Sequence, residues 1–157
     1  MAYQSVNEIE KFSFEDAQIT KIKETEQGIT MEVEALIVKP NNSQNANYTE
    51  SYAATTTIRL VEGKIVSGVK EGYKYYDAND VLKEVVADKP LSKEQINQLI
   101  DNCENAYVIG FLQESKEDEK FVYSFGIEIN EDESYWLLLE FGKAIFNWEQ
   151  YLNKVQR

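Results

Sequence analysis

Residues 121–129 place Phe121, Tyr123, Phe125, Ile127 and Ile129 at every second position. An alternation that long puts all five side chains on one face of an extended strand and fits no helical stripe. It commits this part of the chain to a sheet, and the flanking segments agree. Residues 106–113 and 135–141 read as its neighbours. Tyr135-Trp136-Leu137-Leu138-Leu139 is apolar on both faces, which predicts a central strand covered on both sides.

The same signal recurs upstream. Ile29, Met31, Val33, Ala35 and Ile37 alternate with Thr30, Glu32 and Glu34. A partner over residues 14–24 is joined to this strand through Thr25-Glu26-Gln27-Gly28, as a hairpin. Ala17 and Ile19 are odd-numbered and Ile22 even-numbered, so a bulge is expected near Thr20 and Lys21. Ser5 with Glu8 suggests a capping box for a short helical turn ending near Phe12. Residues 40–47 read as a loop, and residues 52–61 as a strand. Glu62-Gly63 then reads as a tight turn into residues 64–70. After Gly72, Tyr73-Lys74-Tyr75-Tyr76 is extended. Asp77-Ala78-Asn79-Asp80 has turn chemistry, and residues 81–86 return as the partner strand.

Two helices are expected. Ser92 and Gln95 form a capping box, and Ile96, Leu99, Ile100 and Cys103 make one apolar stripe. At the end of the chain Asn147 caps a second stripe of Trp148, Tyr151, Leu152 and Val155, with Lys154 and Arg157 at its C-terminal end. The sum is an α+β fold, one domain over residues 1–157. It has a large twisted antiparallel sheet of about seven to nine strands, with the two main helices packed on one face. The alternative is a partly closed β-barrel with helices, which would hide the sheet edges.

Chemistry is constrained mostly by absence. The chain has no histidine and a single cysteine. This removes His-based triads, Cys–His pairs and the usual zinc sites. Cys103 sits on an apolar stripe between Asp101 and Glu104, a setting that disfavours a thiolate. Glu32 and Glu34 share a strand face, the pattern of a solvated surface. Asp77 to Asp80 departs from a calcium loop at Val81 and Leu82. No catalytic residue, metal ligand or cofactor is expected.

Twenty-eight acidic residues against 16 basic ones give a net charge of −12. That charge opposes nucleic acid and anionic membranes and permits a basic protein partner. The densest acid lies over residues 114–133, in two successive turns expected at opposite ends of the sheet. No apolar run is long enough for a membrane helix, the N-terminus has no signal-peptide pattern, and the lone cysteine suits a reducing compartment. A cytoplasmic protein is expected.

Ten Tyr, seven Phe and two Trp are generous for 157 residues. Tyr73, Tyr75, Tyr76 and Trp136 are the candidate partner- or ligand-binding residues, with aromatic core as the competing reading. Three stretches, Phe14-Glu15-Asp16-Ala17-Gln18-Ile19, Gly72-Tyr73-Lys74-Tyr75-Tyr76-Asp77-Ala78, and Tyr135-Trp136-Leu137 with Trp148, resemble small uncharacterised bacterial proteins grouped as a domain of unknown function. The resemblance implies a bacterial single-domain protein and carries no active-site residues. Nothing in the sequence names an activity. A non-enzymatic, acidic interaction domain for a basic protein or for itself is expected first, then a small-ligand binder, then an enzyme working through carboxylates.

Overall fold

The computed structural model describes residues 2–156. In chain order the strands are β1 (Tyr3–Val6), β2 (Phe12–Ser13), β3 (Gln18–Thr25), β4 (Gly28–Glu34), β5 (Ile37–Val38), β6 (Ser51–Ala53), β7 (Thr56–Val61) and β8 (Lys64–Lys70). They continue as β9 (Tyr73–Tyr76), β10 (Leu82–Val86), β11 (Lys89–Pro90), β12 (Tyr107–Glu117), β13 (Lys120–Ile129), β14 (Glu133–Phe141), β15 (Lys143–Trp148) and β16 (Tyr151–Lys154). A 3-10 turn (Ile9–Lys11) precedes β2, and α1 (Lys93–Asp101) precedes β12. Ten strands form one antiparallel sheet in the order β1-β15-β7-β4-β3-β12-β13-β14-β8-β11. A second sheet runs β16-β6-β5-β2, and β9 pairs with β10 alone.

The large sheet folds over on itself at a corner. Glu140 pairs with Lys64, and Lys143 with Val61, so one antiparallel register runs unbroken from β14 and β8 into β15 and β7. Glu62-Gly63 makes the expected tight turn, closed by the Gly63 amide on the Leu60 carbonyl oxygen at 3.0 Å, but β7 and β8 do not pair, so the turn is a corner between them. Glu62 takes a positive φ of 58°, and a Cβ on Gly63 would sit 2.7 Å from the Leu60 carbonyl oxygen. Strands that change sheet at such bends bring two inner faces together. β3 and β12 complete the fold. They pair only at Tyr107 and Gln18, then splay.

One core fills the space between the inner faces. Phe125, Ile127, Leu139 and Phe146 are fully buried. Phe12 stacks on Phe146 at 4.3 Å, and Phe111 meets Phe125 edge-on at 5.0 Å. Each such ring buried contributes about 1.5–3 kcal/mol from apolar area alone. α1 lies against this core with Ile96, Leu99 and Ile100 inward, held by the expected Ser92–Gln95 capping box. Its Ile96 packs over Gly68 of β8, and Lys93 reaches Glu24 of β3 at 3.2 Å. The helix thus covers the place where β3 and β8 approach each other.

The α+β expectation with two main helices is overturned, since α1 is the one α-helix among the described residues. The alternative, a partly closed barrel with helices, also asked for more than one helix; the ten-stranded sheet itself runs from β1 to β11. The C-terminal stripe is strand. Asn147 pairs with Gln4 in β15 and caps nothing, and the chain bends at residues 149–150 into β16. That bend brings Trp148 and Tyr151 together on Tyr3, at 5.6 and 4.9 Å, so helical spacing marked a shared partner instead of a helix face. Arg157 lies outside the described residues. The Ser5–Glu8 capping box is also replaced. Ser5 lies in β1 and its hydroxyl donates to the Glu8 carboxylate at 2.7 Å, before the 3-10 turn begins.

The β3–β4 hairpin forms with the expected register shift between Ile19 and Lys21, but the strand expected to run on through Ala35 and Ile37 ends at Glu34: Ala35 takes a φ of 57°, and Ile37 lies in β5 of the second sheet. The strand expected over 52–61 divides into β6 and β7, which lie in different sheets. β14 is central in pairing, but only Leu137, Leu139 and Phe141 are buried; Trp136 and Leu138 stay half-exposed on the outer face. Among the described residues no helix is long and apolar enough to cross a membrane.

Candidate interaction site

β9 and β10 project from the sheet as a two-stranded arm. Its base is the β8–β11 pair, Lys70 opposite Lys89. Between base and arm the backbones cross at Gly72, where a Cβ would lie 2.0 Å from the Val86 carbonyl oxygen. Only glycine fits so close an approach. The Gly72 amide donates to Asp88 at 2.6 Å and fixes the crossing.

The tip is closed by Asp77. Its Oδ1 accepts from the Asn79 and Val81 amides at 2.8 and 3.0 Å, and Asp80 takes a φ of 62° that Asp tolerates. The Val81 and Asn79 amides, with Lys83, hold the Asp77 carboxyl below its usual range. This is the turn that the sequence predicts.

Register assigns the arm's faces. Tyr76 lies opposite Leu82 and Lys74 opposite Val85 on one face; Tyr73 opposite Val86 and Tyr75 opposite Glu84 on the other. Tyr73, Tyr75 and Tyr76 are 56%, 57% and 50% exposed, and Leu82 and Val85 are 46% and 58% exposed. The aromatic-core reading is therefore wrong for all three tyrosines. Sequence reasoning did not single out Val81, Leu82 and Val85. The signal was present in part: a hairpin closed by Asp77 to Asp80 brings residues 81 and 82 back beside Tyr76, and the structure pairs Leu82 with it.

Trp136 is not part of this arm. It lies on the outer face of β14, opposite Val69 of β8 and Gly126 of β13. Its indole rests on Gly126 and Gly110, where added Cβ atoms would come within 2.8 and 3.0 Å of Cη2. Exposed Ile109 and Leu112 of β12 lie beyond this platform. Between arm and sheet is a hollow of about 370 Å³, lined by Tyr73, Val86, Lys70, Lys89, Asp132 and Glu133 among others. Lys70 pairs with Glu133 there at 3.4 Å. Tyr135 donates to Glu133 at 3.0 Å, and burial, then that bond and charge, push its phenol above the usual value.

Cys103 packs in the core. It is 1% exposed, and burial pushes its thiol up to about 11. No group of three or more acidic or cysteine side chains is arranged to hold a metal ion among the described residues. The acidic turns lie apart: residues 117–120 adjoin Glu140, while Asp132 and Glu133 adjoin the arm's base. No family model matches the chain, and no curated protein or solved structure matches it either.

Proposed function

We propose that this chain is a non-enzymatic protein-interaction module that inserts its tyrosine arm into an apolar cleft of a basic partner protein. The observation that carries the reading is the arm itself, a two-stranded ribbon with large apolar side chains exposed on both faces. A lone hairpin is marginal in water, and Tyr is a preferred interface residue. The arm holds Lys74 and Lys83 against Asp77, Asp80 and Glu84, so it is nearly neutral within a chain of net charge −12. The body then steers a basic partner while the arm supplies apolar contact. A second copy would bring two strongly negative bodies together, which favours a different protein as the partner.

The test is affinity capture with the native chain and with a Tyr73→Ala/Tyr76→Ala variant, alongside melting temperatures for both. A basic protein that the native chain retains, that salt releases, and that the variant loses at unchanged melting temperature is the expected result. Equal retention by both chains removes the arm from the interaction.

A further inference from the structure

Away from the arm, the free edge of β12 and the end strand β2 border one trough; the Phe12 amide of β2 already donates to the Ile9 carbonyl oxygen. β12 pairs with β13 along its length, but with β3 only at Tyr107. β2 is the end strand of the second sheet, paired with β5 on one side. Between them lies a trough of about 450 Å³, with Phe12, Phe14 and Glu15 on one wall and residues 108–113 on the other. The chain closes one end, where the Val108 amide donates to the Ala17 carbonyl oxygen at 3.1 Å. The other end runs into a second hollow of about 270 Å³ that shares Ile9, Glu10 and Gln113.

Its floor is apolar: Ile9, Phe12, Val108 and Phe111 are all under 9% exposed. Its rim carries Glu10 and Glu15 against one cation, Lys39. Lys39 donates to the Glu10 carbonyl oxygen at 3.0 Å, and Lys116 lies 5.0 Å from the centre of the Phe121 ring. The Tyr123 hydroxyl donates to the Glu10 carboxylate, which anchors that acid at the trough's mouth.

We infer that this trough binds one extended, lysine- or arginine-bearing segment of another protein, which adds as a strand along the free edge of β12. Main-chain bonds to the β12 edge supply affinity, inward side chains meet the phenylalanine floor, and basic side chains meet Glu10 and Glu15. A second copy of this chain is disfavoured by its own charge of −12. The inference stands on the trough alone and is independent of the arm.

The probe is a capped peptide of about seven residues alternating valine and lysine, long enough to form a strand at about 3.3 Å per residue. Binding is read by anisotropy of the labelled peptide and by amide hydrogen exchange of the full chain. Saturable binding is expected, with new protection along β12 between Gly110 and Gln113. N-methylation of alternate peptide amides is expected to weaken it by about tenfold or more, because the main-chain bonds are lost. A Glu10→Gln/Glu15→Gln variant, checked for unchanged melting temperature, is expected to bind about three- to tenfold more weakly. Three results would each overturn the inference: no saturation at millimolar peptide, indifference to N-methylation, or protection that falls on the arm. A dimer whose β12 amides are protected without peptide assigns the trough to a second copy and also overturns it.

Discussion

Trp136 shows how a single residue's surroundings decide its role. It is half-exposed because Gly126 and Gly110 let the indole lie flat on the outer face. A Cβ at Gly126 would meet Ile109 Cγ1 at 2.5 Å and Trp136 Cη2 at 2.8 Å, so the ring must lift. Gly126→Ala is therefore expected to destabilise by about 1–3 kcal/mol, as overpacking does. Tryptophan fluorescence should shift with it. Gly142, beside the corner, is the contrast: its nearest contacts for a Cβ are 3.8 Å or more away. Gly142→Ala is expected to change stability by no more than about 0.5 kcal/mol. Denaturant unfolding of the pair checks both, and equal losses would mean that the platform is not tightly packed.

Among the elements, the arm is held to the body by few contacts besides its strand connections. The Gly72 crossing and the Asp88 bond set its angle to β8 and β11. Gly72→Ala places a methyl group against the Val86 carbonyl and Ala87, so the crossing must open. The expected outcome is faster amide exchange across residues 73–86, with exchange in α1 unchanged. Exchange that rises equally in both would show the arm to be part of the cooperative core. β15 and β16 teach the complementary lesson. Their apolar residues sit at helical spacing, yet β15 is claimed on both sides by β1 and β7, so tertiary pairing overrides the local pattern.

For the molecule as a whole, charge is the dominant long-range term. The ion pairs found are all partly exposed, such as Lys120–Glu140 and Lys70–Glu133. Pairs of that kind contribute about 0–1 kcal/mol each. Self-repulsion at a net charge of −12 is then the larger effect, and salt screens it. Raising salt from about 20 mM to about 500 mM shortens the screening length from roughly 20 Å to roughly 4 Å and is expected to raise the melting temperature. A fall over that range would show that the ion pairs outweigh the repulsion. The same salt should weaken binding of a basic partner, so stability and affinity are expected to respond in opposite directions.

The sequence by itself determined the strands with strong alternation, the β3–β4 hairpin with its bulge, the capping box of α1 and the turn at Asp77. Each follows from residues close together in the chain, where side-chain period and backbone chemistry act directly. It also marked Tyr73, Tyr75, Tyr76 and Trp136 as candidates, without showing which were exposed. Only the tertiary structure decided that Glu62-Gly63 is a corner, because a bend and a hairpin turn use the same residue types and differ in which distant strand pairs with each arm. It likewise made the last segment a strand, separated Trp136 from the tyrosines, and set β2 and the free edge of β12 across one trough. Those outcomes depend on pairing between residues far apart in sequence, and neither periodicity nor composition specifies such partners.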